Sequence, residues 1–70
     1  MDIEWVGNYE ISVSADGSGA AVITANRDGL LSLARQLAAL ADEAPGNHIH
    51  YDEHNSLEDG SSELIIVRAE

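Results

Sequence analysis

Residues 48–54 bring together side chains that could bind a metal ion. His48, His50, Asp52 and His54 occupy alternate positions there, and neutral imidazole and carboxylate groups are good ligands for Zn²⁺. Alternate residues of a β-strand project to the same side. His48, His50 and Asp52 therefore share a face if this segment is extended, and His54 joins them only if the strand continues. A zinc site is one hypothesis for this segment.

The same segment supports a second hypothesis, in which it forms a recognition surface. A structural zinc site usually has four protein ligands and commonly uses thiolates, but the chain has no Cys. Without a metal, the histidines line the solvent-exposed face of a strand beside acidic groups. We expect this second arrangement and no cofactor, with the metal site as the alternative.

The patterns of other catalytic sites are missing from the chain. Its serines lack the G-x-S-x-G context of a nucleophile, and no phosphate-binding loop is present. Neighbouring carboxylates such as Glu58 and Asp59 point to opposite sides of a strand or into solvent. Seventy residues also leave little material for the walls of a catalytic cleft. We therefore expect a protein that is not an enzyme.

Alternation of side chains predicts a β-hairpin in the first part of the chain. Residues 3–15 place most apolar side chains at odd positions, which is typical of a strand with one buried face. Gly7 and Asn8 mark a bulge or a break within it. Residues 16–19, Asp-Gly-Ser-Gly, form a tight turn, and residues 20–25 form the returning strand.

An amphipathic helix follows this hairpin. Asn26 is suited to the N-cap, and Asp28 lies in the first turn, where the helix dipole favours a negative charge. Arg35 and Gln36 are predicted to face water, and Pro45 with Gly46 to end the helix. An apolar stripe at steps of three and four is predicted to cover the sheet: Leu30, Leu33, Ala34, Leu37, Leu40, Ala41 and Ala44.

Two further strands complete the predicted fold. Residues 48–52 alternate again, residues 53–62 form a polar segment that we name the acidic loop, and residues 63–69 form a strand whose apolar run suits a central position. The order predicts one small α+β domain over residues 1–70. It is a two-layer ββαββ sandwich in which one helix packs on a four-stranded sheet, and part of the other sheet face stays open or meets another protein.

The charge of the chain restricts its partners. Thirteen acidic residues stand against three basic ones, giving a formal net charge of −10. Such a chain repels nucleic acid and anionic membranes and attracts basic proteins. No apolar run is long enough to span a bilayer, and the first residues lack the basic start of a signal peptide. We expect a cytoplasmic protein that binds neither nucleic acid nor membrane.

Two patterns in the chain resemble a known protein family. A helix start of the form Asn-x-x-Gly-Leu precedes the pattern HIH-x-DE-x-NSLE-x-GS-x-ELII. Together they resemble small immunity proteins of bacterial polymorphic toxin systems, and the resemblance covers about residues 22–67. His54 departs from the pattern, which has a variable and often apolar residue there. The matching residues are Asn26, Gly29, Leu30, His48, Ile49, His50, Asp52, Glu53, Asn55, Ser56, Leu57, Glu58, Gly60, Ser61, Glu63, Leu64, Ile65 and Ile66.

The resemblance implies that the chain binds a cognate toxin domain, often a nuclease, and blocks it without catalysis. A nuclease is basic where it holds phosphate, so an acidic domain can occupy that surface. Asn55, Leu57 and Gly60 are expected to shape the acidic loop. The residues expected to bind the toxin are Asp52, Glu53, Glu58, Asp59, Glu63, Glu10 and His50, with Glu4 beside them on the first strand.

A homodimer is the remaining possibility for the open sheet face. The last strand is apolar on both sides, so Ile65 or Val67 could be buried against a second copy. This arrangement is compatible with binding a toxin elsewhere on the surface.

Overall fold

The computed structural model describes residues 1–70 and contains four strands and one helix. In chain order they are β1 (Ile11–Ala15), β2 (Ala21–Ala25), α1 (Arg27–Ala41), β3 (His48–Tyr51) and β4 (Leu64–Val67). This ββαββ order confirms the predicted α+β class. The single helix is neither long nor apolar enough to cross a membrane.

The strands form two separate two-stranded sheets, so the prediction of one four-stranded sheet under the helix is wrong. β1 pairs antiparallel with β2, and β3 pairs antiparallel with β4. The second edge of β1 is occupied by the acidic loop. The Glu58 N–H donates to the Ile11 carbonyl (2.9 Å) and the Ser62 N–H donates to the Val13 carbonyl (2.7 Å). Because these bonds use backbone groups that another strand would need, the second hairpin cannot extend the sheet there.

The turn of the first hairpin is confirmed where the sequence predicts it. Asp16 Oδ1 accepts hydrogen bonds from the Ser18 N–H (2.8 Å), the Ser18 hydroxyl (2.6 Å) and the Ala20 N–H (3.3 Å). The bonds from Ser18 hold the pKa of the Asp16 carboxyl below its usual 3.8. The short polar side chain thus replaces backbone partners that a tight turn leaves unsatisfied.

The strand predicted over residues 3–15 begins only at Ile11. The preceding residues, which we call the N-terminal segment (residues 3–10), lie along α1 and bind its side chains instead of a neighbouring strand. Several of their backbone groups therefore find hydrogen-bond partners without a sheet. Three hydrogen bonds join the two elements: Gln36 Nε2 to the Glu4 carbonyl (2.8 Å), the Val6 N–H to Ser32 Oγ (2.8 Å), and the Asn8 N–H to Asp28 Oδ2 (3.1 Å).

The spacing of these bonds explains why the segment resembles a strand. The bonded residues are 4, 6 and 8 in the N-terminal segment and 36, 32 and 28 in α1. Each step of two residues along the segment thus matches a step of four residues along the helix, in the opposite direction. Two residues of extended chain span about 6.6 Å, and four residues of an α-helix rise about 6 Å. The two repeats are close enough for the segment to follow one row of helix side chains, although its backbone turns at residues 7–8. Gly7 adopts a φ of 47°, which confirms the break predicted there.

The helix begins at the predicted cap but buries a different face. Asn26 Oδ1 accepts a hydrogen bond from the Gly29 N–H (2.7 Å), as an N-cap should, and the helix ends at Ala41, before Pro45. Leu33 and Leu40 are buried as predicted, and Arg35 is exposed. The prediction that Gln36 faces water is wrong, because only 1% of its surface is exposed.

The rest of the predicted apolar stripe lies in solvent. Leu30 is 56% exposed and Leu37 is 42% exposed, and Ala34, Ala41 and Ala44 are exposed as well. The helix is rotated because the N-terminal segment supplies hydrogen-bond partners for Ser32 and Gln36. Buried polar groups are tolerated once they are hydrogen-bonded, so this row of polar residues takes the place of an apolar one.

The core is small and lies between the two hairpins and the helix. Trp5 and Tyr9 of the N-terminal segment pack against it, with their rings stacked at a centroid distance of 4.2 Å. No buried side-chain nitrogen or oxygen lacks a hydrogen-bond partner. The buried apolar residues are Ile11, Val13, Leu33, Leu40, Ile49, Tyr51 and Leu57.

Candidate functional site

The acidic loop begins with a turn that Asp52 and Asn55 build together. Asp52 Oδ1 accepts hydrogen bonds from the His54 N–H (2.8 Å) and the Asn55 N–H (3.0 Å). Asn55 Oδ1 in return accepts from the Asp52 N–H (3.2 Å). The Asp52 carbonyl also accepts from the Leu57 N–H (2.9 Å). Asx side chains that bind nearby backbone groups fix turns in this way, which confirms the structural role expected of Asn55.

The remainder of the loop is held against β1. Leu57 is buried in the core, and the residues after it bind the edge of β1 through the two backbone bonds described above. The Val13 N–H also donates to Ser61 Oγ (3.2 Å). Gly60 has a φ of 85° and donates its N–H to Glu53 Oε2 (2.8 Å). The loop is therefore a fixed part of the fold, although it has no regular secondary structure.

The acidic side chains of the loop and of Asp52, which directly precedes it, fall into two groups. Asp52 and Glu53 accept hydrogen bonds from the loop backbone, so their carboxylates also maintain its shape. Glu58 and Asp59 are exposed, and their side chains form no hydrogen bond or ion pair within the chain. These two carboxylates are free to meet a partner.

Glu10 directly precedes β1, whose edge binds the loop, and Glu63 directly follows the loop. Glu10 is exposed and directly precedes Ile11, whose carbonyl binds the loop at Glu58. The Glu63 side chain is 70% exposed and directly precedes β4. Glu4, in contrast, lies in the N-terminal segment, and its carbonyl binds the helix. Glu10 is thus one residue away from the contact between β1 and the loop, whereas the Glu4 backbone is bonded to the helix.

The histidines are dispersed among these carboxylates. His50 Nε2 lies 3.8 Å from Asp52 Oδ2 and 3.6 Å from Glu63 Oε2, and His54 Nε2 lies 3.7 Å from Glu53 Oε1. His48 is exposed opposite Val67. The structure contains no group of three or more His, Cys, Asp or Glu side chains arranged to hold a metal ion. The four residues of the metal hypothesis therefore do not form one site here.

The outer face of the second hairpin is partly apolar. His50 pairs across the sheet with Ile65, and His48 pairs with Val67, so these four side chains share one face. Ile65 is 54% exposed and Val67 is 58% exposed. The expectation that this strand leaves apolar surface open is thus confirmed, and the surface adjoins Glu63.

One feature that the sequence pattern does not indicate is a groove beside β3. It has a volume of about 210 Å³ and is lined by the N-terminal segment, β3 and the Asp52–Asn55 turn. Ile3 and Trp5 contribute from the first of these elements, and Ile49, His50 and Tyr51 from β3. No local pattern could have revealed it, because its two sides are more than forty positions apart in the chain.

Comparison with known proteins identifies the family. No curated protein and no solved structure matches the chain. The family model for immunity protein 32, Imm32, matches residues 21–69, which is more than half of the chain and includes the helix, the second hairpin and the acidic loop. The match agrees with the resemblance seen in the sequence. The chain belongs to the Imm32 immunity protein family.

Proposed function

We propose that this chain neutralises a basic toxin domain by direct binding through an acidic surface. Membership of an immunity protein family implies toxin neutralisation, and such families are typically non-enzymatic. The proposal adds the surface and the charge of the partner. The proposed surface consists of Asp52, Glu53, Glu58, Asp59, Glu63, Glu10 and His50.

The observation that carries the proposal is the fixed position of Glu58 and Asp59. The backbone on both sides of them is bonded to β1, at Glu58 itself and at Ser62, yet neither carboxylate has a partner within the chain. A binding surface that is already ordered loses less conformational entropy when the complex forms. Two unpaired carboxylates on an ordered loop therefore suit the capture of Lys and Arg side chains.

The net charge of −10 supports the same conclusion at longer range. Opposite charge accelerates the encounter of two proteins, and the effect decreases as salt screens it. The Debye length falls from about 10 Å at 0.1 M salt to about 3 Å at 1 M. Association with a basic toxin domain should accordingly slow down as the salt concentration rises.

The test is a pull-down from native lysate with the tagged chain as bait, at low and at raised salt, followed by co-expression of the retained domain. We expect one basic domain to be retained at low salt and lost progressively at higher salt, and its toxicity to be suppressed by the chain. If no basic domain that inhibits growth is retained at low salt, toxin neutralisation by this surface is wrong.

A matched pair of variants separates the surface from the overall charge. The double variant Glu58→Gln/Asp59→Asn removes two charges from the loop, and Asp42→Asn/Glu70→Gln removes two exposed charges elsewhere. We expect the first to weaken the complex and reduce its salt dependence, and the second to do so much less. Equal effects would show that net charge matters and that the loop does not.

A homodimer is the second arrangement that a specific observation favours, namely the exposure of Ile65 and Val67. Apolar side chains on a sheet face gain stability when they are covered. Light scattering tests it directly. A dimer that the Ile65→Ser/Val67→Ser variant converts to monomer supports it, and a monomer at high concentration excludes it.

A further inference from the structure

Four of the seven residues that line the groove beside β3 are hydrophobic, and the core holds three of them in place. Trp5 stacks on Tyr9 and meets the ring of Tyr51 edge to face, with 6.4 Å between the latter centroids. Ile49 is buried beneath it, and Ile3 remains 40% exposed at its side. The recess is partly open to solvent and has a volume of about 210 Å³. The groove is therefore a preformed recess for part of another molecule.

Carboxylates lie next to this apolar recess. His50 lines the groove, and its Nε2 is within 4 Å of both Asp52 Oδ2 and Glu63 Oε2. The side chains of Asp52 and Glu63 are 24% and 70% exposed, so both can reach a partner. An apolar recess with acidic groups beside it is complementary to an apolar side chain that has a basic neighbour.

We infer that the groove receives an apolar side chain of the toxin domain while an adjacent Lys or Arg of the toxin binds Asp52 and Glu63. This inference rests on the proposed function and specifies where its strongest contact lies. Interfaces concentrate their binding energy in a few anchors that fill preformed recesses, surrounded by polar contacts. The groove is the part of this surface with that form.

The charges oppose a second copy of the chain as the occupant of the groove. A copy docked here would bring its own acidic surface toward Asp52 and Glu63, with a net charge of −10 on each molecule. Like charges brought together without a cation oppose association. Ile3 and Trp5 also lie outside the residues matched by the family model, so the family match alone does not indicate this groove.

The groove can be tested without the toxin, because Trp5 is the only Trp in the chain. The probes are two synthetic heptapeptides with blocked ends, one with a central Leu between Arg residues and one with Ser in place of that Leu. Binding is followed by the fluorescence of Trp5 and by NMR shifts of backbone amides. We expect the Leu peptide to bind about tenfold more tightly and to shift the amides of Ile3, Trp5 and His50.

The matched variants are Ile3→Ser and Ile23→Ser, which replace Ile residues that are 40% and 44% exposed. Ile3 lines the groove and Ile23 does not. We expect Ile3→Ser to reduce the preference for Leu and Ile23→Ser to leave it unchanged. Glu63→Gln should weaken both peptides alike, because it removes a charge and leaves the recess intact. Urea denaturation verifies that each variant is folded.

Two results would overturn the inference. Equal binding of the two peptides would show that the acidic surface attracts cations without using the groove. A preference for Leu that Ile3→Ser leaves undiminished would place the apolar contact elsewhere. These failures are distinct from failure of the proposed function. If the chain retains a toxin domain and Ile3→Ser retains it equally well, the groove is wrong and neutralisation stands. If the groove binds the Leu peptide but no toxin domain is found, neutralisation is wrong, and the groove stands only as a site for an apolar side chain with basic neighbours.

Discussion

The Tyr51 hydroxyl donates a hydrogen bond of 2.7 Å to Gln36 Oε1 inside the core. Both residues are 1% exposed. Gln36 Nε2 donates a second hydrogen bond, of 2.8 Å, to the Glu4 carbonyl. The amide therefore links β3, α1 and the N-terminal segment. Each of these elements lines the groove beside β3 or supports it. The Tyr51–Gln36 pair therefore supports both the shape of the groove and the stability of the fold.

Replacing Tyr51 by Phe should destabilise the protein. The substitution leaves Gln36 Oε1 buried without a donor, and an unsatisfied buried polar atom costs about 1–3 kcal/mol. Urea denaturation should show a lower midpoint with an unchanged slope, in one cooperative transition as expected of a single domain. Tyr9→Phe is the control, because the Tyr9 hydroxyl forms no hydrogen bond within the chain. Equal losses in the two variants would mean that the Tyr51–Gln36 bond contributes nothing specific.

Alkaline pH should weaken the same contact. Burial raises the pKa of the Tyr51 phenol above its usual 10.0. The neutral phenol is thus favoured in the folded state, while the unfolded chain ionises near pH 10. The stabilisation is fully present below pH 10 and is lost as the pH rises through the higher folded pKa. Unfolding free energies measured from neutral pH to above 10 should fall more steeply for the wild type than for Tyr51→Phe. Parallel curves would contradict this.

Gly29→Ala should destabilise the helix junction, although Ala is the better helix former. A Cβ on Gly29 would lie 2.6 Å from the Glu10 carbonyl oxygen and 2.9 Å from Ile11 Cγ1. Forcing such contacts apart costs about 1–3 kcal/mol, against about 1 kcal/mol gained from helix propensity. The net change in unfolding free energy is expected to be unfavourable. A more stable Gly29→Ala variant would show that β1 moves away from the helix without loss.

Much of the local structure could be predicted from the sequence because the signals are short in range. Asp16 and its neighbouring glycines specify the hairpin turn, Asn26 specifies the helix start, and Asn55 specifies the turn after β3. In each case the side chain binds backbone within four positions of itself. Local hydrogen bonding of this kind depends little on the rest of the fold.

The arrangement of these elements could not be predicted, because it depends on distant contacts. Gln36 is buried by partners 15 and 32 positions away, and no periodic pattern records them. The edge of β1 is occupied by a loop without regular structure. No sequence pattern marks such a loop as an edge partner, so the sequence favours the more common arrangement, a larger sheet. One signal is visible in retrospect. Asp28, Ser32 and Gln36 follow one another at helical spacing, which marks a polar row capable of binding a neighbouring chain.

The sequence supplies the residue types of the candidate site but not the way in which the fold arranges them. The acidic residues are evident in the sequence, but the difference between Glu58, which is free, and Glu53, which binds Gly60, requires the folded loop. The groove depends on Ile3 and Trp5 lying beside β3. This placement follows from the bonds between the N-terminal segment and α1, which are themselves unexpected from the sequence.

Asp52 has two roles that a pair of substitutions should separate. One carboxylate oxygen, Oδ1, accepts the backbone bonds of the turn, while Oδ2 faces His50. Asp52→Asn keeps an oxygen for the turn and removes the charge, so stability should change little while affinity for the basic Leu peptide falls several-fold. Asp52→Ala removes both the oxygen and the charge. Loss of the backbone bonds that Oδ1 accepts should lower the free energy of unfolding by about 1 kcal/mol more. Urea denaturation and peptide titration of the two variants give the comparison.

If Asp52→Asn loses as much stability as Asp52→Ala, the charge itself holds the turn. If its affinity is unchanged, Asp52 serves the loop alone, and Glu63 is left as the carboxylate that meets the basic side chain.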